Sequence, residues 1–421
     1  MSKLRTLCLF PQFLFRNRTP VCLLLLTILL AASPALAVQF DVEGTKVDLG
    51  GYIKLLVNYD DKTVDAGPYV GDILSAYDAP LDNASDDTKD SNLRMTARES
   101  RLFVKTKTDT GSGILKTHFE GDFYGGADNV SRTWSGNETF RIRHAYGDFA
   151  SGPYELLAGQ TWSNFMDLAA GVPSMDIAGD PGFCFVRQAQ IKLQYNLRPG
   201  HYIAFSAENP DRGLTANGPP PTGTLFLNAG DSDEKVPDFI LKYFFANKMF
   251  TLSPRVLLRQ FNLHTTADNE EGGEAWAYGV ALSASVKAGI ARFVVSGMYG
   301  EGVGRYGGLG NVGGAGLTTD NDVETVGFQS INGGLTLSLT PKVKWSIGAG
   351  WAQNDKDDYD GSNPVLTEYV TETAIGYHTM VQYQVTPAFD WAIGVTKFER
   401  ENMAGTDGDI TRWQMYFKYA F

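Results

Sequence analysis

The last eleven residues, TRWQMYFKYAF, constrain the fold more than any other stretch. Trp413, Met415, Phe417, Tyr419 and Phe421 fall on one face of an extended strand, and Arg412, Gln414, Tyr416 and Lys418 fall on the other. This is period-two alternation carried to a terminal Phe. In water such an edge invites aggregation. In a membrane barrel it is the required pattern, apolar towards lipid and polar towards the lumen.

The pattern recurs along the chain. In KVDLGGYIKLLVNYD, residues Val47, Leu49, Ile53, Leu55, Val57 and Tyr59 alternate with Asp48, Tyr52, Lys54 and Asn58. VKWSIGAGWAQ, FDWAIGVTKF and AWAYGVALSASV repeat it, the last with Ala, Gly and Ser opposite its Trp and Tyr. Each run is near the roughly 9–11 residues that a tilted strand needs to cross a bilayer. Short Gly-, Pro- or Asn-bearing turns fall at 109–113, 151–153, 198–200, 246–248, 287–289, 340–342 and 386–388. Long polar segments fall near 60–92, 125–138, 163–184, 208–237, 262–274, 301–324, 354–370 and 400–409. Seven short turns alternating with eight long loops predict an all-β, 16-stranded antiparallel transmembrane β-barrel, wide enough for a water-filled channel.

The start of the chain reads as an export signal. Lys3, Arg5, Arg16 and Arg18 precede an apolar run, Val21 to Leu30, and an Ala35-Leu36-Ala37 cleavage site. Residues 1–37 are therefore expected to be cleaved, leaving a single barrel domain over 38–421. Cys8 and Cys22 leave with the signal, so Cys184 has no disulfide partner. The leader carries four of the 36 Lys and Arg and none of the 48 acids, so cleavage takes the net charge from −12 to −16. That balance argues against nucleic acid as a partner.

Charge is sorted along the chain. The first long segment (60–92) holds nine Asp against two Lys, and the seventh (354–370) five acids against one Lys. From Leu93 to Arg143, by contrast, there are nine Lys/Arg and six Asp/Glu. The expected picture is an acidic outer mouth above a basic stretch of wall. The acidic loops would suit bridging by divalent cations to lipopolysaccharide.

Parity then places individual side chains. With Leu102 and Val104 towards lipid, Arg101, Lys105 and Lys107 face inward. With Leu115 and Phe119 out, Lys116, His118, Glu120 and Asp122 face the lumen. With Phe140, Ile142 and Tyr146 out, Arg141 and Arg143 face in, and His144 is left on the outer face, at a subunit contact. Simple parity also turns Arg187 outward, although it follows a long loop where a bulge could re-aim it. A charged lipid-facing side chain costs roughly 2–4 kcal/mol at the midplane, which favours inward placement of the Arg residues. Cations at a constriction favour anions.

The third long segment, TWSNFMDLAAGVPSMDIAGDPGF, has three Asp and no Lys or Arg. Irregular backbone at membrane depth is tolerated only where it is buried in protein or lines an aqueous cavity. Its apolar residues can pack on the inner wall, so it is expected to fold inward. Asp167 and Asp176 would then stand opposite the Arg residues or be braced by them.

Other signals carry little. GVGRYG (302–307) matches a nucleotide-loop pattern but lacks the strand and helix around it. The five His are scattered, without metal-ligand spacing or a nucleophile motif, so no catalytic residue, metal or cofactor is expected.

SRLFVKT, RIRHAYGDF, GQTWSNFMD and GFCFVRQAQIKLQY, in this order and spacing, resemble the DcaP-like porin family of Gram-negative outer membranes. The resemblance is strongest over roughly 93–196. It implies a homotrimer similar to the general porins, with an inward-folded third loop and anionic solutes such as dicarboxylates. It also marks Arg101, Arg141, Arg143 and Arg187 as pore residues, alongside the parity candidates Lys105, Lys116, Asp167 and Asp176. Some relatives carry an N-terminal coiled-coil segment; here only about nine residues, Val38 to Lys46, precede the first strand, so that segment is expected to be missing. The expected function is a diffusion porin of the outer membrane. The rival readings are a surface adhesion barrel and an outer-membrane enzyme.

Overall fold

The computed structural model describes residues 38–63, 73–83, 90–125, 139–175, 179–210, 235–262, 274–308, 314–317, 323–356 and 370–421. Sixteen strands form one closed antiparallel sheet. They are β1 (Thr45–Asp60), β2 (Asn92–Thr96 continuing as Arg101–Asp109), β3 (Ile114–Asp122), β4 (Arg141–Ser151), β5 (Tyr154–Trp162), β6 (Arg187–Arg198), β7 (His201–Glu208) and β8 (Asp238–Ala246). The second half comprises β9 (Phe250–Asn262), β10 (Glu274–Ala288), β11 (Ala291–Glu301), β12 (Gly327–Ser338), β13 (Val343–Asn354), β14 (Thr371–Thr386), β15 (Phe389–Asn402) and β16 (Asp407–Ala420).

Each strand pairs with its neighbours in sequence, and β16 returns to β1, from Arg412 opposite Asp60 to Ala420 opposite Tyr52. A short N-terminal strand, Val38–Val42, takes up the pairing of β1 beyond the end of β16, with Val38 opposite Leu49 and Val42 opposite Thr45. Gly51 and Phe421 exchange backbone hydrogen bonds of 3.0 and 3.1 Å at the join. The stretch before the first strand is thus not a simple lead-in: it is a strand that covers the edge left by β16.

The seven short turns lie where the sequence places them, and the first seven long connections likewise. The eighth does not. β15 and β16 continue in register to Glu401 opposite Asp407, leaving five residues between them, with Gly405 at φ +79°. Polar residues of the segment that sit on the rim, such as Asp409, which pairs with Lys397 at 3.6 Å, imitate loop composition on an intact hairpin.

The outer surface is apolar. Leu49, Ile53, Leu55, Leu102, Val104, Ile191, Leu193, Val280, Leu282, Ile347 and Ile393 are all exposed. Tyr59, Trp276, Tyr278, Tyr299 and Trp413 mark its loop-side border, and Tyr154, Tyr195, Phe417, Tyr419 and Phe421 its turn-side border. A band of this extent is stable only against lipid.

The core sits inside the barrel. Leu74, Ala76 and Tyr77 of the first long loop (L1), Phe165, Met166 and Cys184 of the third (L3), and Val303 and Tyr306 of the sixth (L6) form one buried cluster with wall residues such as Ile240, Leu257 and Phe398. Each such large apolar side chain contributes about 1.5–3 kcal/mol on burial. The loops are therefore held in the lumen by hydrophobic packing as well as by polar bonds.

Candidate pore constriction

β2, β3 and β4 run side by side and bring five charged side chains into one chain of contacts. Arg141 grips Asp122 with two hydrogen bonds, Nε to Oδ1 at 2.9 Å and Nη2 to Oδ2 at 2.8 Å. Arg143 donates through Nη1 to Asp122 Oδ2 at 2.8 Å and through Nε to Glu120 Oε1 at 2.9 Å. Arg101 Nη1 lies 3.6 Å from the same Glu120 oxygen. Asp122 and Arg143 are almost completely buried, at 0 % and 2 %. The two-carboxylate, three-guanidinium set is left with one net positive charge.

A β-bulge shapes this site. Glu120 is paired with His144 and the next residue, Gly121, with Ile142, so Arg143 and His144 together oppose one residue of β3. Both therefore point inward, and the parity of β4 is reversed beyond the bulge. This corrects two sequence expectations, for His144 and Tyr146. His144 stacks on His118 with ring centroids 5.0 Å apart, and its Nδ1 is 2.9 Å from the Thr161 hydroxyl. Tyr146 meets His118 edge-on at 5.6 Å.

Arg187 also joins the inner group despite its parity. Its guanidinium lies 4.5 Å from the Trp162 ring centroid and 5.9 Å from that of Phe185, within electrostatic reach of Arg143, Arg141 and Arg101. Its Nη1 is buried without a hydrogen-bond partner. No carboxylate among the described residues forms an ion pair with it. Lys105 is exposed below the group, its Nζ 4.6 Å over the Phe103 ring, and Lys116 lies 3.7 Å from Asp148.

L3 crosses the lumen. Ser163 N donates to Val186 O at 3.0 Å and closes the base of the loop. Three cations of the opposite wall then seize its carbonyls. Lys242 (β8) donates to Met166 O at 2.8 Å, Arg255 (β9) to Phe165 O at 2.7 Å, and Arg292 (β11) to Ala169 O. None of the three was singled out from sequence, although each sits at an inward position of its strand. Asp167 is buried beside them. It accepts from Ala169 N at 3.0 Å, capping a 3-10 turn (Leu168–Ala170), and its charge acts on Lys242, Arg255 and Arg292 rather than on the Arg group of β2–β4. Asp176 lies outside the described residues.

The far side of L3 rests on a patch of wall without side chains. A Cβ on Gly350 would come within 2.6 Å of Asp180 Cβ and 2.7 Å of Pro181 O; on Gly334, within 2.9 Å of Val172; on Gly394, within 2.7 Å of Met175. His378 Nδ1 meets Asp180 Oδ1 at 2.8 Å and fixes the return limb. Gly350→Val is therefore expected to lift the loop and raise single-channel conductance. Cys184 provides an independent readout. Its thiol is fully buried in the loop packing, and that burial pushes its pKa up to about 12. At pH 8 it should be nearly inert to maleimide in the native barrel and should label readily in Gly350→Val; equal labelling in both would count against displacement.

Between L3 and the Arg group lies a cavity of about 390 Å³, lined by Lys54, Glu99, Arg101, Arg143, Trp162 and Asn332 together with Val172, Pro173, Phe183 and Phe185 of the loop. Lys54 is itself ion-paired to Glu99. The GRYG turn of L6 (Gly304–Gly307) seals another part of the lumen: Tyr306 donates to Asp238 Oδ2 at 2.8 Å and packs edge-on against Phe165 at 5.5 Å. The glycine pattern there serves a buried turn.

The arrangement is a barrel whose lumen is narrowed by an inward loop facing a cation-rich wall. A family model described as DcaP outer membrane protein matches residues 37–421. The structure is similar to that of the outer membrane channel DcaP of Acinetobacter baumannii, with a TM-score of 0.71 and 21% identity over 91% of this chain and 99% of that one. It is also similar to an anion-selective porin from Comamonas acidovorans (TM-score 0.59, 11% identity, 90% and 100% covered). The trimer form of OmpT from Vibrio cholerae is a third (TM-score 0.56, 9% identity, 90% and 100% covered). No curated protein matches the sequence. At such identities these likenesses speak to the fold, whereas the family match spans the whole barrel: the chain belongs to the DcaP family of outer membrane proteins and is a porin of the Gram-negative outer membrane.

Proposed function

We propose that this porin passes small hydrophilic solutes with a preference for anions, including dicarboxylates, and that it works as a homotrimer after cleavage of residues 1–37. One observation carries the anion preference. Among the described residues the ion pairs of Arg101, Arg141 and Arg143 are with Glu120 and Asp122 alone, and Arg187 forms none. The set is left with two net positive charges where the passage is narrow. At 4 Å a unit charge is worth about 1 kcal/mol in bulk water and about 4 kcal/mol at the effective dielectric of a protein surface. Of the nine Asp of the first long segment, Asp60 is already neutralised by Arg412, and charges more than about 8 Å from the constriction are screened by salt at physiological ionic strength. The constriction therefore outweighs the mouth in setting selectivity. The likeness to the trimer form of OmpT supports the oligomeric reading.

The test is the reversal potential of the reconstituted protein in a KCl gradient. Chloride preference is the expected result; potassium preference would overturn the assignment. Cross-linking in native membranes, with a ladder ending at three copies, checks the trimer.

A further inference from the structure

We infer that the cavity beside L3 is a solute-binding subsite, with the Arg group at one end and Asn332 at the other. Its ligand would be a short organic anion carrying a second hydrogen-bond acceptor, such as a hydroxyl or carbonyl oxygen, away from its carboxylate. The inference rests on the anion reading above and adds a specific partner for the solute's other end.

Asn332 lies on β12 facing inward, only 5 % exposed, and its Nδ2 has no hydrogen-bond partner. Its strand neighbours supply none. Opposite on β13 is Gly350, and on β11 is Ser296, whose hydroxyl is engaged with Ser283 at 2.9 Å. A buried unpaired amide costs roughly 1–3 kcal/mol, and buried polar groups are almost always paired. The group lines the same cavity as Arg101 and Arg143, and Arg101 Nε is likewise buried without a partner. The rest of the lining mixes apolar loop residues, Val172, Pro173 and Phe183, with two carboxylates that already have partners, Glu99 on Lys54 and Asp180 on His378. At about 390 Å³ the space holds on the order of ten waters, each taking about 30 Å³ in the liquid, or one small organic acid. Occupancy of such a finite site makes the solute's flux saturate with its concentration.

Matched acids test this. In single-channel recordings, 4-hydroxybutanoate should reduce the KCl conductance saturably, at roughly tenfold lower concentration than butanoate, the difference one hydrogen bond makes. Asn332→Leu should bring 4-hydroxybutanoate to the butanoate level. Asn332→Asp, which keeps the side-chain shape and repels the anion, should weaken 4-hydroxybutanoate as well and covers the case in which the Leu variant fails to fold. Equal half-block concentrations in the native channel, or a difference that survives both variants, would sink the subsite. The reversal potential is read in the same recordings. Chloride preference without discrimination between the acids overturns the subsite alone, whereas potassium preference overturns the anion reading beneath it.

Discussion

Arg143→Gln is expected to destabilise the barrel by about 3–5 kcal/mol, the usual loss when one partner of a buried ion pair is removed. The reason is the burial of what it leaves behind. Asp122 is fully enclosed, and Arg143 binds it at 2.8 Å while also binding Glu120 at 2.9 Å. The variant should therefore lose its heat-resistant gel mobility at a markedly lower temperature. Arg187→Gln separates the electrostatic role from the structural one. Its guanidinium stacks on Trp162 and bonds to no carboxylate among the described residues, so thermal stability should hardly change. Chloride-over-potassium permeability should nevertheless fall about fivefold, taking about 1 kcal/mol for a unit charge near an aqueous pore. An unaltered permeability ratio in Arg187→Gln would remove that residue from the constriction.

The second large effect is expected from the opposite wall. Replacing Lys242, Arg255 and Arg292 together by Gln removes three charge-assisted bonds to the carbonyls of L3. Each is worth roughly 1.5–3 kcal/mol, so attachment on that side weakens by more than the packing of one large side chain supplies. Conductance should rise and the open level should become noisy as the loop samples positions away from the wall. A quiet channel of native conductance would mean that the packing of Phe165 and Met166, together with the Asp180–His378 contact, holds the loop unaided.

The contrast between the two walls shows which features are legible in sequence. Alternation identifies the strands and fixes the inward side of Arg101, Lys105, Lys116 and Arg141, because lipid enforces an apolar outer face residue by residue. It fails at His144 and Tyr146, because a one-residue bulge reverses parity without leaving a compositional trace. Simple parity also turns Arg187 outward, whereas stacking on Trp162 at a strand end brings it inward. The cations that secure L3 were readable by the same inward parity as Arg101, but nothing local ties Lys242 to Met166, which lies 76 residues earlier. The glycines of β12, β13 and β15 look like ordinary small residues of a barrel wall. Their use emerges only when the loop is laid across them.

The seam between β1 and β16 has a kinetic consequence. Asp60 and Arg412 are joined by two hydrogen bonds, at 2.6 and 2.8 Å, across 352 residues of intervening chain. Every other strand pairing links sequence neighbours, whereas this one must recover a loop-closure entropy of about 5 kcal/mol, scaling as the logarithm of the separation. Closure of the cylinder is therefore the natural late step of folding, since contacts of high sequence separation form slowly. Until it occurs, both edges stay open to foreign strands. The N-terminal strand paired to β1 shields part of one edge during that interval.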